Sequence, residues 1–292
     1  MAREADQGLH QVHQVADFQV VEVEALLADA VRETLGVVPS GDVAPDALRL
    51  ALLDVLLSLG LTEVEDIALE LLASAPSVAE VWRLGHYLES AQPGQYTDLI
   101  RSAAELSVVS SDSGAMLPPE LFDLLGVLGN EHTADVLAQV PQSQEVYVCL
   151  SLADLADGRG LQVLEQRAGA FRDGRDTVQG RLALQLLAQE APRYPGAVAI
   201  LVDLAEQGLI PRDMWPFVLD IVAGNWALSL FEPPAELLIG SHTYYQPGGN
   251  QVIYRAAPDP YAEDDELDSQ RLYPLDRLRP LTPPELVWGE DG

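Results

Sequence analysis

The chain has 292 residues, 48% of them apolar, which is enough for a large buried core or for an array of helical repeats. It carries 46 acidic residues against 16 basic ones, a net charge of −30, and every basic residue is arginine. Such an acidic surface repels phosphate backbones and anionic lipids, so we expect no nucleic-acid or membrane partner. The single cysteine, Cys149, excludes a disulfide framework and is expected to be a buried structural thiol. Because no signal peptide or membrane-spanning run is evident, we expect a cytoplasmic protein.

Residues 1–17 lack apolar periodicity and are expected to form a flexible lead. A helical-repeat domain should then cover residues 18–224. Its first helix is predicted over 18–35, where apolar residues recur on one face. The stretch 45–75 predicts two antiparallel helices joined at residues 59–61. Since the first of these helices is apolar nearly all round, we expect it to be covered on both sides.

The same pattern recurs along the domain. Capping boxes at Thr62-x-x-Glu65 and Ser77-x-x-Glu80 predict consecutive helix starts. An apolar helix, a short glycine-bearing turn and an amphipathic helix follow one another three times, in residues 52–72, 121–140 and 147–167. These units predict stacked helix pairs of irregular length.

The turns at residues 128–137 and 156–164 carry a resemblance to a known class. Together with the paired helices, they make the region from about 45 to 223 similar to HEAT-type α-solenoid repeats. The resemblance implies an all-α fold of stacked helix pairs whose concave face binds another macromolecule. A closed or irregular helical bundle remains the alternative fold.

Residues 225–292 differ in character and predict a C-terminal extension. Aromatic and β-branched residues on either side of Pro247-Gly248-Gly249-Asn250 predict a β-hairpin over 241–256. An acidic linker follows, with six acids in residues 259–268. The last stretch, 271–292, contains four prolines, which we expect to exclude a long helix. It is nevertheless too apolar for a free tail, so it should dock on its own chain or on a partner.

The sequence contains no motif of a known catalytic centre. A glycine-rich phosphate loop, a GxSxG elbow, an HExxH motif and an ExxH pair are all missing. We therefore expect no catalytic residues, no cofactor and no metal. Five arginines lie close in sequence to acidic residues, which predicts a lattice of surface ion pairs rather than an anion site. The arginines are Arg159, Arg167, Arg172, Arg175 and Arg181, and the acids are Asp157, Glu165, Asp173 and Asp176.

These features favour a non-enzymatic scaffold or adaptor that binds another protein. The alternative is an acidic inhibitor or immunity-type protein that mimics nucleic acid and blocks a basic protein. A third hypothesis, an enzyme or small-ligand binder that uses the concave face, has less support. The oligomeric state is left open. The candidate partner-binding residues are the aromatic and apolar side chains of the extension: Tyr244, Tyr245, Tyr254, Leu272, Tyr273, Leu275, Leu278 and Trp288.

Overall fold

The computed structural model describes residues 43–58, 62–74, 76–111, 115–225, 227–229, 243–245, 253–256 and 265–286, and this part is predominantly helical. The predicted lead and the predicted helix over 18–35 lie outside the described residues. The α-helices are α1 (Val43–Ser58), α2 (Thr62–Ala73), α3 (Val78–Ala91), α4 (Thr97–Ser110), α5 (Pro119–Leu128), α6 (Glu131–Ala138), α7 (Glu145–Asp154), α8 (Leu161–Ala168), α9 (Val178–Glu190), α10 (Pro195–Glu206), α11 (Trp215–Val222) and α12 (Asp265–Leu278).

The chain divides into two compact units after Ser107. In the first unit, α1 packs on α2 and α3. Leu53 and Leu56 of α1 are buried, but Val55 is 46% exposed, so the prediction that α1 is covered on both sides is wrong at this position. One side of α1 therefore meets its neighbours and the other carries an exposed valine.

One of the two capping boxes predicted in the first unit falls within the described side chains. The backbone N–H of Ser77 donates to the Glu80 carboxylate at 2.8 Å, which confirms the capping box of α3. The Glu65 carboxylate accepts a hydrogen bond from the Tyr96 hydroxyl, across 31 positions of sequence. The side chain of Thr62 lies outside the described residues, so the capping box at Thr62-x-x-Glu65 stays a prediction.

In the second unit the first helices of successive pairs contact one another in the order α5, α7, α9, α11. The second helix of each pair lies beside this row: α8 packs on α7 and α9, and α10 packs on α9. The predicted turns are confirmed. Gly129 and Asn130 separate α5 from α6, and Asp157, at a φ of 59°, bends the chain between α7 and α8.

Helix α9 is the centre of this unit, because it contacts α7, α8, α10, α11 and the first strand. Buried side chains lie around most of the circumference of α9, whereas Val178, Arg181 and Gln185 line a narrower, more exposed strip. The buried side chains include Leu182, Ala183, Leu184, Leu186, Leu187 and Ala188.

A close approach fixes the contact between α5 and α7. The Ser151 hydroxyl of α7 donates to the Phe122 carbonyl of α5 at 2.6 Å. A Cβ atom on Gly126 would lie 3.3 Å from the Ser151 backbone, so a side chain there would press the two helices apart.

Three short strands form an antiparallel sheet in the order β1-β3-β2. They are β1 (Ala227–Ser229), β2 (Thr243–Tyr245) and β3 (Ile253–Ala256). Strand β2 pairs with β3 with Tyr244 opposite Tyr254. The predicted turn between them lies outside the described residues.

The prediction that prolines exclude a long helix from the C-terminal segment is wrong. Residues Asp265–Leu278 form a 14-residue helix with Pro274 inside it, and the helix begins within the acidic stretch. Proline costs one backbone hydrogen bond in a helix. Here Pro274 is buried together with Leu275 and Leu278, and this burial opposes that cost.

Truncation of a fully enclosed side chain of α9 tests whether this helix is central. Leu184→Ala should lower the free energy of unfolding by about 2–5 kcal/mol, because Leu184 is fully buried and its truncation leaves a cavity. Val178→Ala, on the same helix at a side chain that is 48% exposed, is the matched control and should change it by less than about 0.5 kcal/mol. Chemical denaturation measures both. Equal effects of the two substitutions would contradict the central position of α9.

Candidate functional site

The predicted partner-binding residues of α12 fall into two groups. Leu275 and Leu278 are 8% and 0% exposed, whereas Leu272 and Tyr273 are 57% and 52% exposed. Helix α12 contacts α10 and α11, so Leu275 and Leu278 anchor it to its own chain. A partner could reach Leu272 and Tyr273 without displacing the helix.

Arg271 provides a further contact between α12 and the rest of the chain. Its guanidinium lies over Gly224, where an added Cβ atom would come within 2.3 Å of Cζ. Gly224 follows the C-terminal end of α11, which carries partial negative charge. The C-terminal segment therefore docks in cis, through a cation as well as through apolar side chains.

The structure places the predicted tyrosines on the sheet. Tyr244 and Tyr245 are on β2 and Tyr254 is on β3, with Tyr245 opposite Ile253. The side chains of these residues, like Trp288, lie outside the described part of the chain. Their part in binding stays a prediction.

Sequence reasoning missed an apolar cleft of about 210 Å³ in the second unit. It lies between the end of α4, the segment before α5 and the end of α6. Val109 at its wall is 67% exposed, and Met116, between two lining residues, is 64% exposed. The lining residues are Val108, Val109, Ser111, Ala115, Leu117, Val136, Gln139, Val140, Pro141 and Gln144.

The buried side chain of Gln144 holds one wall of the cleft in place. Its Nε2 donates to the Ala115 carbonyl at 2.9 Å, and its Oε1 accepts from the Leu117 backbone N–H at 2.9 Å. An amide that bonds both a carbonyl and an N–H replaces the pairing of a neighbouring strand. The segment 115–117 is thereby fixed with Met116 pointing into solvent.

Three carboxyl groups follow the row of stacked helices, one on each of α5, α7 and α9. The negative charge of Asp123 raises the pKa of Asp154, and the charge of Asp154 raises the pKa of Glu190. Burial and the Asp123 charge raise the pKa of Asp154 to about 6, although Asp154 retains an exposed surface. Glu190 is the buried member of the row at 2% exposure.

The predicted lattice of arginine ion pairs is confirmed. Four arginines bind the acids that lie near them in sequence, and Arg181 bridges Asp176 and Asp213 at 2.5 and 2.6 Å. Because most of these groups face solvent, each pair contributes little to stability and leaves no arginine cluster for an anion. The other three pairs are Arg159–Asp157, Arg172–Glu165 and Arg175–Asp173.

Arg167 differs from the other arginines, because it pairs with a buried acid. Its guanidinium lies 2.8 Å from Glu145, which is 1% exposed. Cys149 is fully buried beside this pair, as predicted, with Sγ 3.6 Å from a Glu145 carboxylate oxygen. Burial raises the pKa of the Cys149 thiol, so it stays protonated and is a poor nucleophile.

Within the described ranges, no group of three histidine, cysteine or acidic side chains is arranged to hold a metal ion. None of the helices in those ranges has both the length and the apolar character that crossing a membrane requires. No protein-family model matches the chain, and comparison with curated proteins and with solved structures finds no match.

Two leucines of α12 offer a matched test of its docking. Leu278→Ala should lower the free energy of unfolding by about 2–5 kcal/mol, because Leu278 is fully buried against the chain. Leu272→Ala should leave stability within about 0.5 kcal/mol, because that side chain faces solvent. Thermal and urea unfolding of both variants measure the difference. If Leu278→Ala is as harmless as Leu272→Ala, α12 does not hold the C-terminal segment to the helices.

Proposed function

We propose that this protein is a non-enzymatic scaffold or adaptor that binds another protein through HEAT-like helical repeats. The observation that carries the proposal is the apolar cleft of the second unit, with Val109 and Met116 exposed beside it. Large apolar side chains grouped at a concavity are typical of protein-binding surfaces.

The packing of the second unit supports the repeat part of the proposal. Helices α5, α7, α9 and α11 contact one another in succession, while α8, α10 and α12 form a second row in which α10 contacts both neighbours. Two rows of this kind are what stacked helix pairs produce. In this proposal the fold is a HEAT-like α-solenoid with a C-terminal β-hairpin over 241–256.

The exposed residues of the extension form the second part of the proposed surface. Leu272 and Tyr273 face solvent on α12, and the Arg277 guanidinium donates to the Tyr273 hydroxyl at 3.4 Å. Tyrosine and arginine are enriched among residues that dominate binding energy. Tyr244, Tyr245, Tyr254 and Trp288 complete the set.

An acidic inhibitor that mimics nucleic acid is the second candidate, and the net charge of −30 favours it. The ion pairs of the arginines leave the acidic excess without a counterpart on the same chain. Salt separates the two candidates. A complex held by charge should weaken steeply between low and moderate ionic strength, whereas one held in an apolar cleft should not.

Loss of apolar surface at the cleft tests the leading candidate. Full-length protein used as bait in native lysate should retain a specific partner, and the double variant Val109→Gln, Met116→Gln should lose most of it. Both side chains are exposed, so the fold should be unaffected. Quantitative mass spectrometry measures retention and circular dichroism checks the fold.

Val127→Gln is the matched control, because Val127 is an equally exposed valine at 63% and does not line the cleft. It should retain the partner. The proposal fails if neither the full-length protein nor a variant that lacks residues 270–292 retains a specific partner. It also fails if the cleft variant and the control bind equally well.

A further inference from the structure

The C-terminal end of α9 carries two adjacent polar side chains with different contacts. Gln189 fastens strand β1: its Oε1 accepts from the Leu228 backbone N–H at 2.6 Å, and its Nε2 donates to the Leu228 carbonyl at 3.3 Å. Leu228 is buried, and β1 lies against α9. These two hydrogen bonds join the sheet to the central helix.

Glu190, the next residue, is poorly solvated for a carboxylate. Its side chain is 2% exposed, and its Oε2 accepts no hydrogen bond. The nearest cation, Nη1 of Arg193, is 3.7 Å from that oxygen, beyond hydrogen-bonding distance, and Arg193 itself is largely exposed. Glu190 also ends α9, where the partial charge of the helix is negative. Burial, the unbonded oxygen and the position at the helix end disfavour the ionised form, and Arg193 offsets them only in part.

The charged groups that act on Glu190 are few. Arg193, in the turn after α9, stabilises the carboxylate, and Asp154, at the end of α7, destabilises it. Asp123 of α5 acts on Asp154 in turn. Among the described side chains of α8, α10, α11 and β1, no charged group acts on Glu190.

Burial raises the pKa of Glu190 to about 7; Arg193 and the neighbouring Gln189 side chain oppose this rise, and Asp154 reinforces it. In the unfolded or locally opened chain the same carboxyl has its ordinary pKa of about 4.5. The closed form therefore binds more protons than the open form between these values. Its stability is greatest at the acidic end of this window and falls as the pH rises towards 7.

We propose that the end of α9 is a pH-sensitive latch for strand β1, closed when Glu190 is protonated and loosened when Glu190 ionises. An ionised, buried carboxylate gains hydration if the last turn of α9 opens. Opening that turn moves the adjacent Gln189 and breaks its two hydrogen bonds to Leu228.

The consequence extends beyond β1, because β1 pairs with β3 and β3 pairs with β2. Loosening β1 releases one edge of the sheet that carries Tyr244, Tyr245 and Tyr254. If these tyrosines bind a partner, as in the proposed function, pH controls the anchorage of that surface. The latch itself does not depend on the proposed function, and its test measures no binding.

Amide hydrogen exchange of the full chain, followed by NMR, tests the latch. After correction for intrinsic exchange, protection of the Leu228 N–H should fall about tenfold between about pH 6 and about pH 8, as a shift of the carboxyl pKa from 4.5 to about 7 requires. Protection of the Leu184 N–H, in the middle of α9, should change less. Glu190→Gln should remove the pH dependence at Leu228, and Glu206→Gln, at an exposed acid of α10, should keep it.

A second measurement does not rely on the Glu190 variant. The Glu190 carboxyl carbon should titrate with a midpoint near 7 in wild-type protein. In Gln189→Ala, Leu228 should lose protection at both pH values while Glu190 still titrates.

Three results would overturn the latch. The first is an equal loss of protection at Leu228 and Leu184, which would indicate global destabilisation by the net charge of −30. The second is pH dependence that persists in Glu190→Gln. The third is a Glu190 midpoint near 4.5, the ordinary value of its carboxyl.

Discussion

The burial of α9 around most of its circumference is the constraint on which the second unit depends. A helix with buried side chains on most faces needs several neighbours, and α7, α8, α10, α11 and β1 provide them. Removing one neighbour would expose leucine and alanine side chains to water. The order of the row α5, α7, α9, α11 thus follows from the need to cover α9 and then to cover the helices that cover it.

Polar side chains position the segments that do not belong to the rows. Gln144 fixes residues 115–117 at the cleft, and Gln189 fixes β1 on α9, each by one donated and one accepted hydrogen bond. Both side chains bond the backbone of segments 27 to 39 positions away. Because an unpaired buried amide is costly, these bonds hold each segment in one place. The cleft and the sheet therefore have defined positions beside the helices.

The docking of α12 and the acidic charge of the chain are connected. The chain has few arginines, and those of the ion-pair lattice bind nearby acids. Arg271, in contrast, lies at the C-terminal end of α11. Leu275 and Leu278 supply the apolar part of the same contact. The opposite side of α12 leaves Leu272 and Tyr273 in solvent, so one helix combines anchorage with an exposed apolar surface.

The sequence by itself determined the features that depend on near neighbours: the helix pairs, the turns at Gly129 and Asp157, the capping box of α3 and the arginine pairs. Their causes are helical periodicity and contacts within a few residues, which a sequence displays directly. Tertiary structure alone decided that α9 is central, that Pro274 lies inside a helix, that Leu275 is buried while Leu272 is exposed, and that burial raises the pKa of Glu190 to about 7. Each of these depends on which distant segments exclude water from a side chain, and such contacts have no period in the sequence.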